Sequence, residues 1–140
     1  MIQFILDTDS LTLFQEGHPA VCAEFLRQHS DAVAITVLSV EEQLSGWYTQ
    51  VRQAKRPERL AWAYRRLSES VRFLARLNIL TYDEQAMQRF EQLRKQKIKI
   101  GRTDLRIAAT VLEQGATLVT ENTRDFKQVP GLKIVSWSAR

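Results

Sequence analysis

An uninterrupted apolar and β-branched run occupies residues 32–37, with the sequence AVAITV. A strand with one solvated face alternates apolar and polar residues, whereas this run suits a parallel strand that is covered by helices on both faces of its sheet. Apolar residues at helical spacing follow directly, among them Val40, Leu44 and Trp47. The segment therefore predicts a strand and a helix of an α/β domain with a parallel sheet.

The same alternation of strand and helix patterns continues along the chain. Further strands are predicted at residues 3–6, 78–80, 117–120 and 132–135. Predicted helices follow the polar cluster at 7–10, span 19–28, begin at Ser39, begin at Pro57, run from a Thr81-x-x-Glu84 capping box to about Lys97, and run from Thr103 or Asp104 to Gly115. The helices at Ser39 and Pro57 are expected to form a hairpin. In the second of them, apolar residues recur at spacings of three and four: Leu60, Tyr64, Leu67, Val71 and Leu74.

The composition is typical of one globular domain, since 44% of the 140 residues are hydrophobic and 26% are charged. We expect residues 1–140 to form a single domain. Apolar runs are far shorter than the roughly 20 residues of a membrane span, and the run ending at Leu6 lacks the basic start of a secretory signal. A cytoplasmic protein without a membrane segment is predicted. One cysteine and two histidines exclude an internal disulfide, a Cys/His zinc site and a histidine-dependent hydrolase triad.

Charge is distributed unevenly along the chain. Residues 1–50 contain one basic residue and seven acidic ones, whereas residues 51–102 contain fourteen basic and five acidic residues. One interpretation is two solvated helix faces of opposite sign. The other is a carboxylate site beside a surface that binds a polyanion.

Acidic and amide side chains are predicted at the carboxyl ends of the strands, where parallel sheets bind their ligands. Asp7 follows the first strand, Glu42 lies in the first turn of the helix after the second, and Asp104 lies at the start of a later helix. Asn122 and Asp125 follow the strand at 117–120. Carboxylates in one cleft repel one another unless a cation lies among them, and hard ions such as Mg²⁺ or Mn²⁺ prefer oxygen ligands. The pattern predicts a metal site.

Each of these residues also has a structural alternative. Asp7 or Asp9 could cap the first helix, and Ser39 and Glu42 have the spacing of a capping box. Asp104 suits the positive end of a helix dipole. Asn122 and Asp125 are also typical of turns and loops. The joint placement of the acidic residues at one edge of one sheet favours the metal site.

Four segments resemble PIN-domain ribonucleases, and most closely the VapC toxins of bacterial type II toxin–antitoxin systems. They are LDTD at 6–9, ITV at 35–37 continuing to EQLSG at 42–46, TDLRIAA at 103–109, and LVTENTRDF at 118–126 followed by VPGL at 129–132. The resemblance covers essentially the whole chain. It implies a PIN-like (Rossmann-like) α/β/α sandwich with a central parallel sheet, and a metal-dependent endoribonuclease that cleaves RNA phosphodiester bonds.

The resemblance also implies which residues form the site. Asp7, Glu42 and Asp104 match the metal-binding carboxylates of the family, and Glu42 is chosen over Glu41 because it stands four residues before the glycine of the EQLSG segment. Asp125 is the first choice for the fourth acidic ligand.

Several roles at the site stay open. Asn122 would be a neutral ligand or would hold a water, Thr120 would line the site, and Asp9, where many relatives carry Asn, would add charge or cap the helix. One or two Mg²⁺ ions, with Mn²⁺ as an alternative, would bind the scissile phosphate and lower the pKa of a water. Asp104 or Asp125 would orient that water.

The resemblance further implies an RNA substrate, a homodimer and a cognate antitoxin bound in a groove between helices. The phosphate track would comprise Arg94, Lys95, Lys97, Lys99 and Arg102, whose structural alternative is a solvated helix end. An excess of large apolar residues supports protein partners: Leu13, Phe14, Trp47, Trp62 and Tyr64. The main alternative function is a catalytically inactive PIN-like module that binds RNA or protein. Another Mg²⁺-dependent phosphotransfer enzyme is disfavoured because no glycine-rich loop follows the first strand.

Overall fold

The computed structural model describes residues 1–138. Its strands are β1 (Phe4–Leu6), β2 (Val33–Thr36), β3 (Asn78–Leu80), β4 (Thr117–Val119) and β5 (Lys133–Val135). Its helices are α1 (Thr8–Gln15), α2 (Pro19–Arg27), α3 (Val37–Gln53), α4 (Pro57–Leu74), α5 (Glu84–Arg94), α6 (Arg102–Gln114) and α7 (Thr123–Phe126), with a 3₁₀ turn at Ser30–Ala32. All strand pairs are parallel and the sheet order is β3-β2-β1-β4-β5. The predicted α/β class is confirmed.

The sheet is covered on both faces, as the apolar run at 32–37 predicts. Ile5 and Leu118 point into a core shared with α5 and α6, whereas the next residues, Leu6 and Val119, point into a second core with α1, α2 and α4. All four residues of β2 are buried. Because successive side chains of a strand point to opposite faces, the central strands are apolar at most positions, whereas the edge strands β3 and β5 begin with the exposed Asn78 and Lys133.

The order of the strands creates a crevice at one point of the sheet edge. From β1 the chain adds β2 and β3 on one side, and it then crosses to place β4 and β5 on the other side. The connections that leave the carboxyl ends of β1 and β4 therefore diverge, which is where ligands bind in open α/β sheets. Asp7 and Thr120 are the first residues after these two strands.

The start of α3 differs from the prediction. The helix begins at Val37, and its cap is Thr36, whose hydroxyl accepts a 3.3 Å hydrogen bond from the Ser39 amide. A Ser39/Glu42 capping box is therefore wrong, and Glu42 lies in the second turn of α3, not the first. Thr36 has extended backbone angles, so this β-branched residue can both end the buried strand and cap the helix.

Other boundaries also shift. Asp83, not Thr81, caps α5 by accepting a 2.9 Å hydrogen bond from the Ala86 amide. The helix ends at Arg94, and Lys97 has a left-handed backbone with φ of 58°. Gly115 ends α6 with φ of 64°, as predicted. The short helix α7 lies in a segment predicted as a loop. The sequence shows no sign of this helix, because four residues are too few for a periodic apolar pattern.

The predicted hairpin of α3 and α4 is confirmed by edge-to-face contact between Trp47 and Trp62, whose ring centroids lie 5.6 Å apart. The face of α4 that packs inward carries small residues, including Ala63 and Ser70. Three residues of its apolar pattern face outward instead, namely Leu60, Tyr64 and Val71. Within residues 1–138, no helix is both long and apolar enough to cross a membrane.

Candidate active site

Asp7 is buried at the carboxyl end of β1 and uses both oxygens of its carboxylate. Oδ1 accepts a 2.9 Å hydrogen bond from the Ser10 amide, so Asp7 caps α1. Oδ2 accepts a 2.6 Å hydrogen bond from the Thr120 hydroxyl, which lies at the end of β4. The capping alternative is therefore correct for Asp7, and the same carboxylate also lies in the crevice of the sheet.

Burial raises the pKa of Asp7 above its ordinary value, because the ionised carboxylate loses contact with water. The hydrogen bonds from Thr120 and Ser10 act in the opposite direction, and the nearby charge of Asp9 raises the pKa further. Asp9 itself is exposed on the first turn of α1. The protein thus keeps an acid in a position where ionisation is unfavourable, which is common at functional sites.

Asp104 lies in the first turn of α6 and is half-buried. Its pKa is raised to about 6, first by burial and then by the negative charges of Asp7, Glu42, Asp9 and Asp125. Every one of these effects raises the pKa. Asp104 therefore lies in the electrostatic field of all the other acidic residues that the sequence assigns to the site.

Glu42 extends from the second turn of α3 and is exposed. Its Oε1 accepts a hydrogen bond from the hydroxyl of Thr8, the first residue of α1. The Thr8 hydroxyl also lies 2.9 Å from Oγ of the buried Ser39. The sequence pattern did not assign Thr8 or Ser39 to the site, although Thr8 directly follows Asp7 and Ser39 precedes Glu42 by about one helical turn.

Asn122 and Asp125 are joined to the crevice through Thr120. The Asn122 amide group donates a 2.8 Å hydrogen bond to Oδ2 of Asp125, and its backbone N–H donates a 2.9 Å bond to the Thr120 hydroxyl oxygen. Because that hydroxyl also bonds Asp7, a continuous chain of hydrogen bonds runs from Asp125 to Asp7. The two candidates for the fourth position are thus partners of each other, and Asn122 orients the Asp125 carboxylate.

The carboxylates at the site are the kind of ligand that a hard divalent cation prefers, but they are not close together. The carboxylates of Asp7, Glu42, Asp104 and Asp125 come from four separate segments and would supply oxygen ligands only. Within residues 1–138, no three acidic, histidine or cysteine side chains are close enough together to enclose an ion as they stand. The carboxylates share an electrostatic field, and a bound cation would have to draw them closer together.

The basic segment leads from the end of α5 to the start of α6. Lys95, Lys97, Lys99 and Arg102 are exposed in it. Arg94 instead pairs with Glu91 at 2.8 Å, and this contact lowers the pKa of Glu91. The backbone N–H of Lys99 donates a 3.2 Å hydrogen bond to the Gln128 side chain, which fixes the segment to the loop after α7.

A separate groove of about 700 Å³ lies between α1, α3 and α4. Trp47 and Trp62 line it, and Arg66 stands over the Trp47 ring at 4.9 Å. Two of the residues predicted to face protein partners, Leu13 and Phe14, pack against the second core instead. The core of the domain therefore accounts for part of the excess of large apolar residues noted in the sequence.

Comparisons with known proteins agree with this architecture. The PIN domain family model matches residues 4–132. The tRNA(fMet)-specific endonuclease VapC of Shigella flexneri is 28% identical over 142 residues, which covers 99% of this chain and 100% of the relative. Ribonuclease VapC2 of Haemophilus influenzae (strain ATCC 51907 / DSM 11121 / KW20 / Rd) is 27% identical over 141 residues, covering 98% of this chain and 99% of the relative.

Solved structures extend the likeness to three dimensions. The crystal structure of DNA-bound VapBC from Salmonella typhimurium matches with a TM-score of 0.79 and 26% identity, covering 98% of this chain and 99% of that one. VapBC2 from Rickettsia felis bound to a DNA fragment from its promoter matches with a TM-score of 0.75 and 26% identity, over the same shares of the two chains. The predicted PIN-like fold is confirmed, and this chain belongs to the PIN domain family.

Proposed function

We propose that this chain is a metal-dependent endoribonuclease of the VapC type, the toxin of a toxin–antitoxin pair. The observation that carries the proposal is the chain of hydrogen bonds that joins Asp7 to Asp125, through Thr120 and Asn122, at the carboxyl ends of β1 and β4. The pKa of Asp104, raised by burial and by the charges of these and other acids, agrees with it. Full-length relatives named as ribonucleases support the substrate class. A catalytically inactive binding module is the alternative, and it gives no reason to retain this unfavourable cluster of charge.

In this proposal the carboxylates of Asp7, Glu42, Asp104 and Asp125 hold one or two divalent cations, Mg²⁺ or Mn²⁺. A bound cation supplies a Lewis acid that lowers the pKa of a water and offsets charge on the phosphate. Thr120 fixes Asp7, and Asn122 fixes Asp125, through the hydrogen bonds described above. These two polar residues are therefore assigned to positioning the carboxylates.

The acidic residues differ in the task that each could perform. Asp7 is buried and accepts two hydrogen bonds, so its carboxylate is fixed and suited to holding a cation. Asp104 is only half-buried in the first turn of α6, so water can reach its carboxylate, and burial and the neighbouring acids raise its pKa. We assign Asp104 to orienting the attacking water and to accepting its proton, with Asp125 as the alternative.

RNA is proposed to reach the crevice along the basic segment. Lys95, Lys97, Lys99 and Arg102 are exposed and precede Asp104 in the chain, so a phosphate backbone bound there would pass next to the acidic residues. Such contacts are electrostatic and independent of sequence. The choice of RNA target would then depend on loops and base contacts elsewhere.

Two protein partners are proposed for two different surfaces. The groove between α1, α3 and α4 would accept an amphipathic segment of the cognate antitoxin, as VapBC complexes among the similar structures suggest. The outward apolar stripe of α4 supports a homodimer, since Tyr64 and Val71 are 52% and 47% exposed. The groove and the stripe belong to different faces of the helical hairpin.

The proposal is tested by incubating a mixed cellular RNA pool with the wild-type protein and with Asp104→Asn, each in Mg²⁺, Mn²⁺ or EDTA. Asp7→Asn is preferable to Asp7→Ala as a second variant, because Asn keeps an oxygen for the cap of α1. Discrete fragments that require both the metal and the wild-type residues support the ribonuclease. If folded variants and wild type leave the RNA equally intact while the wild type binds it, the binding module is correct.

A further inference from the structure

We infer that Thr8 is a positioning residue for Glu42, and that its hydroxyl aims the Glu42 carboxylate at the crevice that contains Asp7. This inference rests on the proposed function, because it assigns a role at the same site. Thr8 is the first residue of α1, and Glu42 lies on the neighbouring helix α3.

The direction of the hydrogen bonds follows from proton counting. The Thr8 hydroxyl has a single proton, which it donates to Oε1 of Glu42. The 2.9 Å contact between the Thr8 and Ser39 hydroxyls therefore requires Ser39 to be the donor. The result is a directed chain from Ser39 through Thr8 to Glu42, in which each hydrogen bond polarises the next.

Glu42 needs such a partner more than the other acidic residues do. It is exposed and its side chain has three rotatable bonds, so without an anchor the carboxylate would sample many positions in solvent. Asp7 is instead fixed by Ser10 and Thr120. Because Asp7 and Thr8 are adjacent, one short stretch of chain sets the positions of two carboxylates.

The backbone that carries Thr8 is itself held to α3. The Gln15 and Gln43 amides exchange two hydrogen bonds, of 2.8 and 2.7 Å. Gln43 also donates a 3.3 Å hydrogen bond to the Thr12 hydroxyl, which in turn donates a 3.0 Å bond to the Thr8 carbonyl. This polar ladder fixes the spacing of α1 and α3, so the Thr8 hydroxyl meets Glu42 in a defined position.

The experiment compares Thr8→Val, which has the same shape without the hydroxyl, with Thr8→Ser, which keeps it. Thr49→Val is the matched control, because the Thr49 hydroxyl bonds only a backbone carbonyl elsewhere on α3 in the described structure. Mn²⁺ affinity is measured by electron paramagnetic resonance, and cleavage is separated into kcat and KM. We expect Thr8→Val to weaken Mn²⁺ binding and kcat by about tenfold or more, as for other groups that orient metal ligands. Thr8→Ser should restore most of both, and Thr49→Val should match the wild type.

Two further variants make the result decisive. Ser39→Ala should show a smaller loss in the same direction, which tests the chain even if Thr8→Val folds poorly. Thr8→Val combined with Glu42→Gln should be no worse than Glu42→Gln alone, since Thr8 acts through Glu42. If Thr8→Val and Ser39→Ala both keep wild-type Mn²⁺ affinity while Glu42→Gln loses affinity, this inference is overturned but the proposed function is not. Wild-type behaviour of Glu42→Gln as well would overturn the proposed function.

Discussion

The hydroxyl of Thr120 donates a 2.6 Å hydrogen bond to Oδ2 of Asp7 and so joins residues that are 113 positions apart in the chain. The two residues directly follow β1 and β4, the neighbouring strands whose connections leave in opposite directions. This bond lies at the bottom of the crevice, where it holds the most buried carboxylate of the site, which follows β1, against the end of β4. It therefore connects the stability of the sheet edge with the geometry of the proposed metal site.

The first prediction concerns this bond. Thr120→Val leaves a buried oxygen of Asp7 without its donor and the Asn122 backbone N–H without its acceptor. We therefore expect unfolding by urea to show a loss of about 1–3 kcal/mol at pH 7. The pKa of Asp7 should rise further, because the bond from Thr120 lowers it. Thr110→Val is the control, since that buried hydroxyl bonds only the Arg106 carbonyl in the described structure. An equal loss in both variants would show that the Asp7 bond has no special weight.

The second prediction concerns pH. The folded-state pKa of Asp104, about 6, lies above its ordinary value of 3.8, so the folded protein holds this proton more tightly. The contribution of Asp104 to the free energy of unfolding is therefore greatest below about pH 4, falls as the pH rises to about 6, and then stays constant. Asp104→Asn should be as stable as the wild type at pH 4.

At pH 7.5 in EDTA, Asp104→Asn should be more stable than the wild type by about 1–2 kcal/mol. The pKa shift corresponds to more than this, but partial exposure of the carboxylate to water reduces it. Added Mg²⁺ should narrow the difference, because a ligand that binds only the folded wild type stabilises it. A constant difference between the two proteins from pH 4 to 7.5 would contradict the raised pKa.

The third prediction separates two adjacent glutamates. Glu42→Gln should lower kcat for RNA cleavage by more than about tenfold, because a proposed metal ligand loses its charge. Glu41→Gln removes the same charge one residue earlier and should stay within about twofold of the wild type. Initial rates at saturating RNA measure both. Similar losses in the two variants would mean that net charge, and not ligand geometry, matters here.

The fourth prediction concerns the basic segment. The double variant Lys97→Gln, Lys99→Gln should bind single-stranded RNA more weakly and should reduce the slope of log affinity against log salt by about 1.4, at about 0.7 per phosphate contact. Cleavage at saturating RNA should change little. Lys55→Gln, Lys133→Gln removes the same charge elsewhere and should keep the wild-type slope. Equal slopes in the two double variants would place the RNA path on another surface.

The fifth prediction concerns the stripe on α4. Tyr64→Glu places a charge on a residue that is 52% exposed, so it should shift a dimer toward monomer without unfolding the protein. Met87→Glu on α5, at a residue that is 45% exposed, is the control. Light scattering over a dilution series measures the change. A wild-type protein that stays monomeric at working concentration would contradict the homodimer.

The sequence predicts the order of the elements well, because periodicity is a local property. Predicted strands and helices occur where expected, with shifts of a few residues, and the acidic residues lie beyond the strand ends. The wrong predictions concern helix caps, where neighbouring polar residues compete for the same backbone N–H. Thr36 displaces Ser39 as the cap of α3, and Asp83 displaces Thr81 as the cap of α5, because several polar residues nearby could accept the same backbone N–H.

The sequence by itself determined that this chain forms a covered parallel sheet with carboxylates at the ends of its strands, because alternating side chains and helical spacing depend on neighbouring residues alone. Only the tertiary structure decided that β4 lies beside β1, that Thr120 bonds Asp7, and that Thr8 bonds Glu42. These contacts join segments separated by 34 residues or more. The burial of Asp104, which is the main reason for its raised pKa, likewise depends on how the whole chain closes around it.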